Sequence, residues 1–388
     1  MKISVVAFEA STGIDLVAQA ENCLVQLNDF ISGNSISLKN VISINFFVSA
    51  GSNGDYCRQA DRLMASLPSD IKNNIPVTLL AQAPANGSGI SAEIYYVEKT
   101  YNAAFTPKTE EGQLYLSIEG RDGDKLVIAS GIGQFTKITD VTSDAERVFS
   151  TMEKILKAEG LDFCHIFRQW NYIEGITAQD DQDGSVNQHY QLFNNVRSAY
   201  YSRSEFKHGY PAATGIGVSA GGVIVSFFAA SDTGYAVSSL ENPLQKAAFE
   251  YTEEVLVGTT EYRGCTKCTP KFSRAKLVAN TESEQVFISG TAAIRDQLTV
   301  GEKDVSLQTQ ITLENIQKLI CGETLAVHKR KSDNLPEIRF IRVYIKYQED
   351  YPVVRQVCEK YLPGIQALYV VSDVCRDNLL VEIEALAS

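Results

Sequence analysis

Two apolar spacings alternate along the chain: a three-and-four spacing that predicts amphipathic helices, and unbroken or period-two runs that predict strands. After a strand-like start over residues 1–8, Leu16, Ala20, Cys23, Leu24, Leu27, Phe30 and Ile31 share one helical face. Residues 41–48 then read as a strand, 55–67 as a second helix, and 77–83 and 90–97 as two closing strands. The turn-rich stretch from Pro84 to Gly89 separates those strands.

The same order returns twice more at a spacing of roughly 130 residues, the signature of internal repetition. The second copy opens with a hairpin around Arg121-Asp122-Gly123-Asp124. It continues with a helix whose face carries Val141, Ala145, Val148, Met152, Ile155 and Leu156, a strand over 164–173, a helix over 190–201, and strands over 214–219 and 223–230. The third pairs 275–280 with 285–289, then runs a helix over 304–320, a strand over 338–347, a helix over 351–361 and strands over 367–373 and 379–386. The expectation is an α+β fold of three ββαβαββ units at 1–105, 106–235 and 236–388, the first truncated and the third carrying a connecting segment.

Composition narrows the function classes. A chain of 388 residues, 44% hydrophobic and 21% charged, has the length and apolar content for a buried core. Its 35 Lys and Arg against 47 Asp and Glu give a net charge of −12, which repels phosphate backbones, so no nucleic-acid partner is expected. No segment has a signal peptide's layout or the roughly 18 apolar residues of a membrane span, which predicts a cytoplasmic protein with no membrane partner. The eight scattered cysteines fit buried thiols better than a disulfide framework. Cys265 and Cys268 have the spacing of half a zinc site, but no second pair stands at a zinc-ribbon distance, so no metal or other cofactor is expected.

The repeated unit and its ending, Leu379-Leu380-Val381-Glu382-Ile383-Glu384-Ala385, resemble the RidA/YjgF family. Members of that family assemble as homotrimers, so three copies in one chain imply a pseudo-trimer with pockets between neighbouring copies, as a monomer or a low-order homo-oligomer. A closer resemblance is to the chorismatases of the same superfamily. It is carried by Arg168-Gln169-Trp170-Asn171-Tyr172-Ile173, Pro211-Ala212-Ala213-Thr214-Gly215-Ile216-Gly217, Glu241-Asn242-Pro243, Phe272-Ser273-Arg274-Ala275 and the block from Asp373 to Glu384.

The resemblance implies an enzyme that splits chorismate, a small dianion, into pyruvate and a ring acid. Two carboxylates call for cationic donors, and the enol ether calls for an acid. Arg168, Arg197 and Arg274 are the candidate cations, with Tyr172, Tyr210, Thr214 and Gly215 as further donors. Glu382 matches the family's catalytic acid, and Cys375 matches the branch that forms 3-hydroxybenzoate, where a thiol beside the ring can act as a nucleophile. The plainer readings are surface ion pairs for the arginines, a solvated strand edge for Glu382 and Glu384, and core packing for Cys375 and Trp170.

Asp296-Gln297 stands where the family tends to have Gly-His, and Gly264-Cys265-Thr266-Lys267-Cys268-Thr269-Pro270 replaces a proline-rich approach. Two alternatives accompany this reading. One is a RidA-like enamine or imine deaminase anchored by Arg376; the other is a non-catalytic small-molecule binder, for which a sealed or arginine-free pocket beside Glu382 is expected.

Overall fold

The computed structural model describes residues 1–10, 15–98, 103–120, 123–134, 136–182, 185–259, 261–328 and 330–388. In the first repeat β1 (Ile3–Glu9), α1 (Leu16–Gly33), β2 (Val41–Val48), α2 (Asn53–Ser66), the short α3 (Ser69–Lys72), β3 (Val77–Leu80) and β4 (Ile90–Val97) build a sheet in the order β1-β4-β2-β3. The second repeat comprises β5 (Ala104–Glu110), β6 (Gln113–Glu119), β7 (Lys125–Ile132), α4 (Val141–Ala158), β8 (Ile166–Glu174), the hairpin β9 (Gln179–Gln182) and β10 (Ser185–Gln188), α5 (His189–Tyr201), β11 (Ala212–Val218) and β12 (Val223–Ala230). Its main sheet runs β11-β8-β12-β7-β6-β5. Strands β6 and β7 form the expected hairpin, although Arg121 and Asp122 at its turn lie outside the described residues.

The third repeat has β13 (Ala236–Leu240), β14 (Ala275–Ala279), β15 (Glu284–Ala292), the small hairpin β16 (Ile294–Arg295) and β17 (Leu298–Thr299), α6 (Val305–Leu319), α7 (Gly322–Leu325), β18 (Ile338–Ile345), α8 (Tyr351–Tyr361), β19 (Gln366–Val371) and β20 (Val381–Ala387). Its sheet runs β13-β14-β15-β20-β18-β19. The three units therefore share one plan, and the first has only β1 where the others have an opening hairpin or meander.

Local chemistry repeats with the plan. Asp15, Asp140 and Asp304 cap α1, α4 and α6, each accepting backbone N–H bonds from the first turn, a contact that contributes about 1 kcal/mol per helix. Each main sheet is covered on one face by its own helices. Phe149 and Phe193 of α4 and α5 pack in the second repeat's own core, and Leu313 and Val354 of α6 and α8 in the third's. The opposite faces meet in one cluster to which all three sheets contribute, among them Phe46, Trp170, Phe228, Phe287, Phe340 and Tyr344. Sheets buried on both faces explain why β2 and β12 are buried at every position, the polar Ser43, Asn45 and Ser226 included. Helices outside and three sheets inside are the arrangement expected of a pseudo-trimer.

Candidate active site

β20 lies between β15 and β18, and its register opposes Glu382 to Ala292 and Tyr344, and Glu384 to Arg342. Period-two alternation puts Glu382 and Glu384 on one face, and both are buried, each 4% exposed. The β15–β20 ladder is interrupted between Ile288 and Thr291, and the interruption leaves Gly290 beneath Glu382. A Cβ at residue 290 would collide with Oε1 of Glu382 and press on the Thr214 methyl. Glycine here is therefore a packing requirement of the carboxyl group, not a turn residue.

Glu382 opens onto a cavity of about 470 Å³ between the second and third repeats, within the size range of small-ligand sites. The second repeat contributes Tyr190, Gln191, Ala213 and Gly215; the third contributes Arg274, Gly290, Cys375, Arg376 and Glu382; the segment joining β13 to β14 adds Tyr251, Leu256 and Phe272. Arg274 donates through Nη2 to the carbonyl of Lys246 at 2.8 Å and to the Tyr251 hydroxyl at 2.7 Å, with its guanidinium 5.2 Å from the Phe272 ring. Arg376 donates to the carbonyl of Gln297 at 2.7 Å and lies 5.2 Å from the Tyr251 ring. Tyr251 thus sits between two cations that both reach the cavity.

The two acids of β20 have opposite electrostatics. Burial, helped by the charge of Glu384, pushes Glu382 up to about 8, against the pull of Arg274 and Arg168. Burial works against ionisation of Glu384 too, but Arg342 and Arg168 and the bonds from Thr214 and Trp170 hold it below the usual carboxylate range. At neutral pH one carboxyl carries a proton into the cavity and its neighbour is an anion, the division of labour that lets two like groups take different roles. Cys375 is pushed up to about 12, by burial first and then by Glu382.

A family profile described as "Chorismatase FkbO/Hyg5-like, N-terminal" matches residues 108–229. The 3-hydroxybenzoate synthase of Streptomyces hygroscopicus is 32% identical over 287 residues, which cover 72% of this chain and 78% of that protein. The chain belongs to the chorismatase family. A chorismatase of Streptomyces rapamycinicus (strain ATCC 29253 / DSM 41530 / NRRL 5491 / AYB-994) is 32% identical over 233 residues, 59% of this chain and 65% of that one. The fold is also that of a chorismatase crystal structure, with a TM-score of 0.72 over 100% of both chains at 20% identity.

Within this chorismatase-family chain, the structure brings Glu382, Cys375, Gly215, Arg274 and Arg376 to one cavity, and it sets the other sequence candidates elsewhere. Arg168 does not line the cavity wall; it is buried, bonded to Glu384 and Thr214 at 2.7 and 2.8 Å. Tyr172 accepts from Arg342 at 2.9 Å on the inner face of β8, and the Thr214 hydroxyl is spent between Glu384, Arg168 and the Gly290 N–H. Arg197 bonds Asn194 beneath the Phe193 ring, and Tyr210 packs among Tyr201, Phe206 and Phe249. The expectation that Arg168, Arg197, Tyr172 and Tyr210 line the pocket is corrected accordingly: alternation along β8 turns Arg168, Trp170 and Tyr172 together toward the interior where three sheets meet.

Other expectations also change. Cys375 stands in the cavity with its thiol pushed up by burial, which disfavours the thiolate form. Cys265 and Cys268 are not thiols but a disulfide, in a loop tied to α5 by bonds from Gln191 to the Cys268 carbonyl and from Asn195 to the Thr266 carbonyl. Glu382 and Glu384 are not on a solvated edge, whereas Trp170 is packed in the core as expected and donates to Glu384 at 2.8 Å. Tyr190, Tyr251 and Phe272 also line the cavity. Phe272 lies in the Phe272-Ser273-Arg274-Ala275 motif, but Tyr251 belongs to a segment with no periodicity.

Proposed function

We propose that this chain cleaves chorismate to pyruvate and a ring acid, with Glu382 as the proton donor. The observation that carries the reading is a buried carboxyl group, pushed up by its burial, in a cavity that also presents two arginines. Arg274 and Arg376 receive the two carboxylates of the dianion, with Tyr251 fixing their separation. Glu382 gives its proton to the terminal methylene of the enol ether, and positive charge develops on the carbon between the ether oxygen and the carboxylate. The carboxylate left on Glu382 faces that charge and later takes a proton back, which restores the enzyme.

Addition of water to the cation and collapse of the hemiketal release pyruvate and a diene-diol. The aromatic alternative, 3-hydroxybenzoate, differs from that diol by one water, so its formation consumes no net water. We assign this chain to the aromatic route on the presence of Cys375, acting as a thiol wall beside the ring. The similarity to the 3-hydroxybenzoate synthase supports that assignment. Among units divided at 1–105, 106–235 and 236–388, the last two form the site and the first supports it. No helix among the described residues is long and apolar enough to cross a membrane, and the reading places the reaction in the cytoplasm.

The binder alternative required a sealed or arginine-free pocket, whereas both arginines reach this cavity. The test is to incubate the purified protein with chorismate, follow pyruvate with a coupled dehydrogenase, and separate ring products by chromatography. Pyruvate together with 3-hydroxybenzoate is expected, and E382Q should lower turnover at least a hundredfold without loss of fold. Wild-type turnover in E382Q, or no pyruvate from the wild type, would refute the reading; the latter turns attention to imine substrates held by Arg376.

A further inference from the structure

Glu384 faces the same way as Glu382 yet does not line the cavity. It accepts hydrogen bonds from Arg168 at 2.7 Å, Trp170 at 2.8 Å, Thr214 at 2.7 Å and Tyr344 at 3.1 Å, and Arg342 lies 3.5 Å away. Arg342 in turn grips both oxygens of Glu93 from the first repeat and donates to the hydroxyls of Tyr172 and Tyr344, both at 2.9 Å. All three repeats therefore converge on one buried group of two arginines and two glutamates, in which burial pushes the Glu93 carboxyl up against the pull of Arg342. Well-packed apolar residues usually stabilise a core as well as a buried ionic network does, so such a network beside a proton donor calls for a reason other than stability.

We propose that Glu384 is a positioning residue for the reaction: burial comes first in keeping the proton on Glu382, and the fixed negative charge of Glu384, two residues away on the same strand face, adds to it until the substrate takes that proton. The use made of that proton rests on the chorismate-cleaving reading; where the proton is held does not. A second carboxylate close to the first makes ionising both costly. The groups facing Glu382 are Glu384 on its own strand, Arg274 from β14, Arg168 from β8, Tyr190 from α5 and Cys375. Those facing Glu384 are Arg168 and Tyr172 from β8, Arg342 and Tyr344 from β18, and Glu93 and Tyr95 from β4. Of these, Glu384 is the anion that works on Glu382, and Arg274 and Arg168 oppose it.

The test compares E384Q, R168M and the charge-balanced E384Q/R168M. Infrared titration of the ligand-free protein follows the Glu382 carboxyl band, identified by its loss in E382Q, and the upper pH limb of kcat/KM with chorismate gives a second reading. E384Q should move the Glu382 titration down by about one pH unit, R168M should move it up, and the double variant should fall between them. A merely structural role moves both single variants the same way or neither, and that result would overturn the proposal. Should E384Q not fold, the upward shift in R168M and its reversal in the double variant carry the test, and their absence overturns it. Opposite infrared shifts in a protein that yields no pyruvate would uphold the role of Glu384 while removing the assigned substrate.

Discussion

Glu382 holds a proton that an exposed glutamate would lose, and the same burial that makes it an acid makes it a liability to the fold. Its ordinary value of 4.5 rises to about 8 in the folded chain. Between those values the unfolded chain has released the proton and the folded chain has not, so unfolding releases a proton and stability falls as pH rises. Below 4.5 both states are protonated and the cost disappears. E382Q carries a neutral group at every pH, so its melting temperature should match that of the wild type below about pH 4.5, exceed it increasingly up to about pH 8, and keep a constant lead above that. Thermal melts of both proteins at pH 5 and pH 9 measure this; a gap that does not widen at the higher pH would show that Glu382 is not held protonated. Cys375 follows the same physics, since burial pushes its thiol up to about 12 and a neutral thiol behaves as a small apolar group in the cavity wall.

At the scale of elements, the site depends on an irregularity in β15. The interrupted ladder and the missing side chain at Gly290 give the Glu382 carboxyl its place. G290A should displace that carboxyl and lower kcat at least tenfold, while the melting temperature drops only a few degrees. Turnover near that of the wild type would mean that the carboxyl has room the packing does not reveal. Strands buried on both faces and a helix with one apolar stripe were legible from sequence: β2, β4 and β12, and α8, occupy the residues their apolar patterns predict. β5 was missed because it is an edge strand of mostly exposed or half-buried residues with Pro107 within it. The two-residue strands β16 and β17 are too short to show a period. Glu382, Arg274 and Arg376 were legible because a motif marked them. The misassignment of Arg168 and Tyr172 has one physical cause: a period of two shows which residues share a face but not whether that face meets a ligand or another sheet.

The whole molecule explains why one cavity of this kind bears an acid although the plan is repeated. The central strand pairs align Asn45 with Glu93, Trp170 with Ser226, and Arg342 with Glu384; two residues along they align Phe47 with Ser91, Tyr172 with Ile224, and Tyr344 with Glu382. Only the third repeat places an acid at the last position. Where the first sheet meets the second, Gln134 ties the backbone of β3 by bonds to the Leu79 N–H and the Val77 carbonyl, filling space over Gly131 much as Glu382 does over Gly290. The first repeat's contribution is then Glu93, both of whose oxygens accept from Arg342. E93Q leaves that guanidinium buried without its two-pronged partner, a loss of about 3–5 kcal/mol, whereas E93Q/R342M removes both charges and should melt above the single variant. Thermal melts of the wild type and the two variants at neutral pH give the order. A double variant that melts below E93Q would mean that Arg342 is held in place chiefly by Glu384 and the tyrosines, and that the first repeat joins the other two through apolar packing rather than through charge.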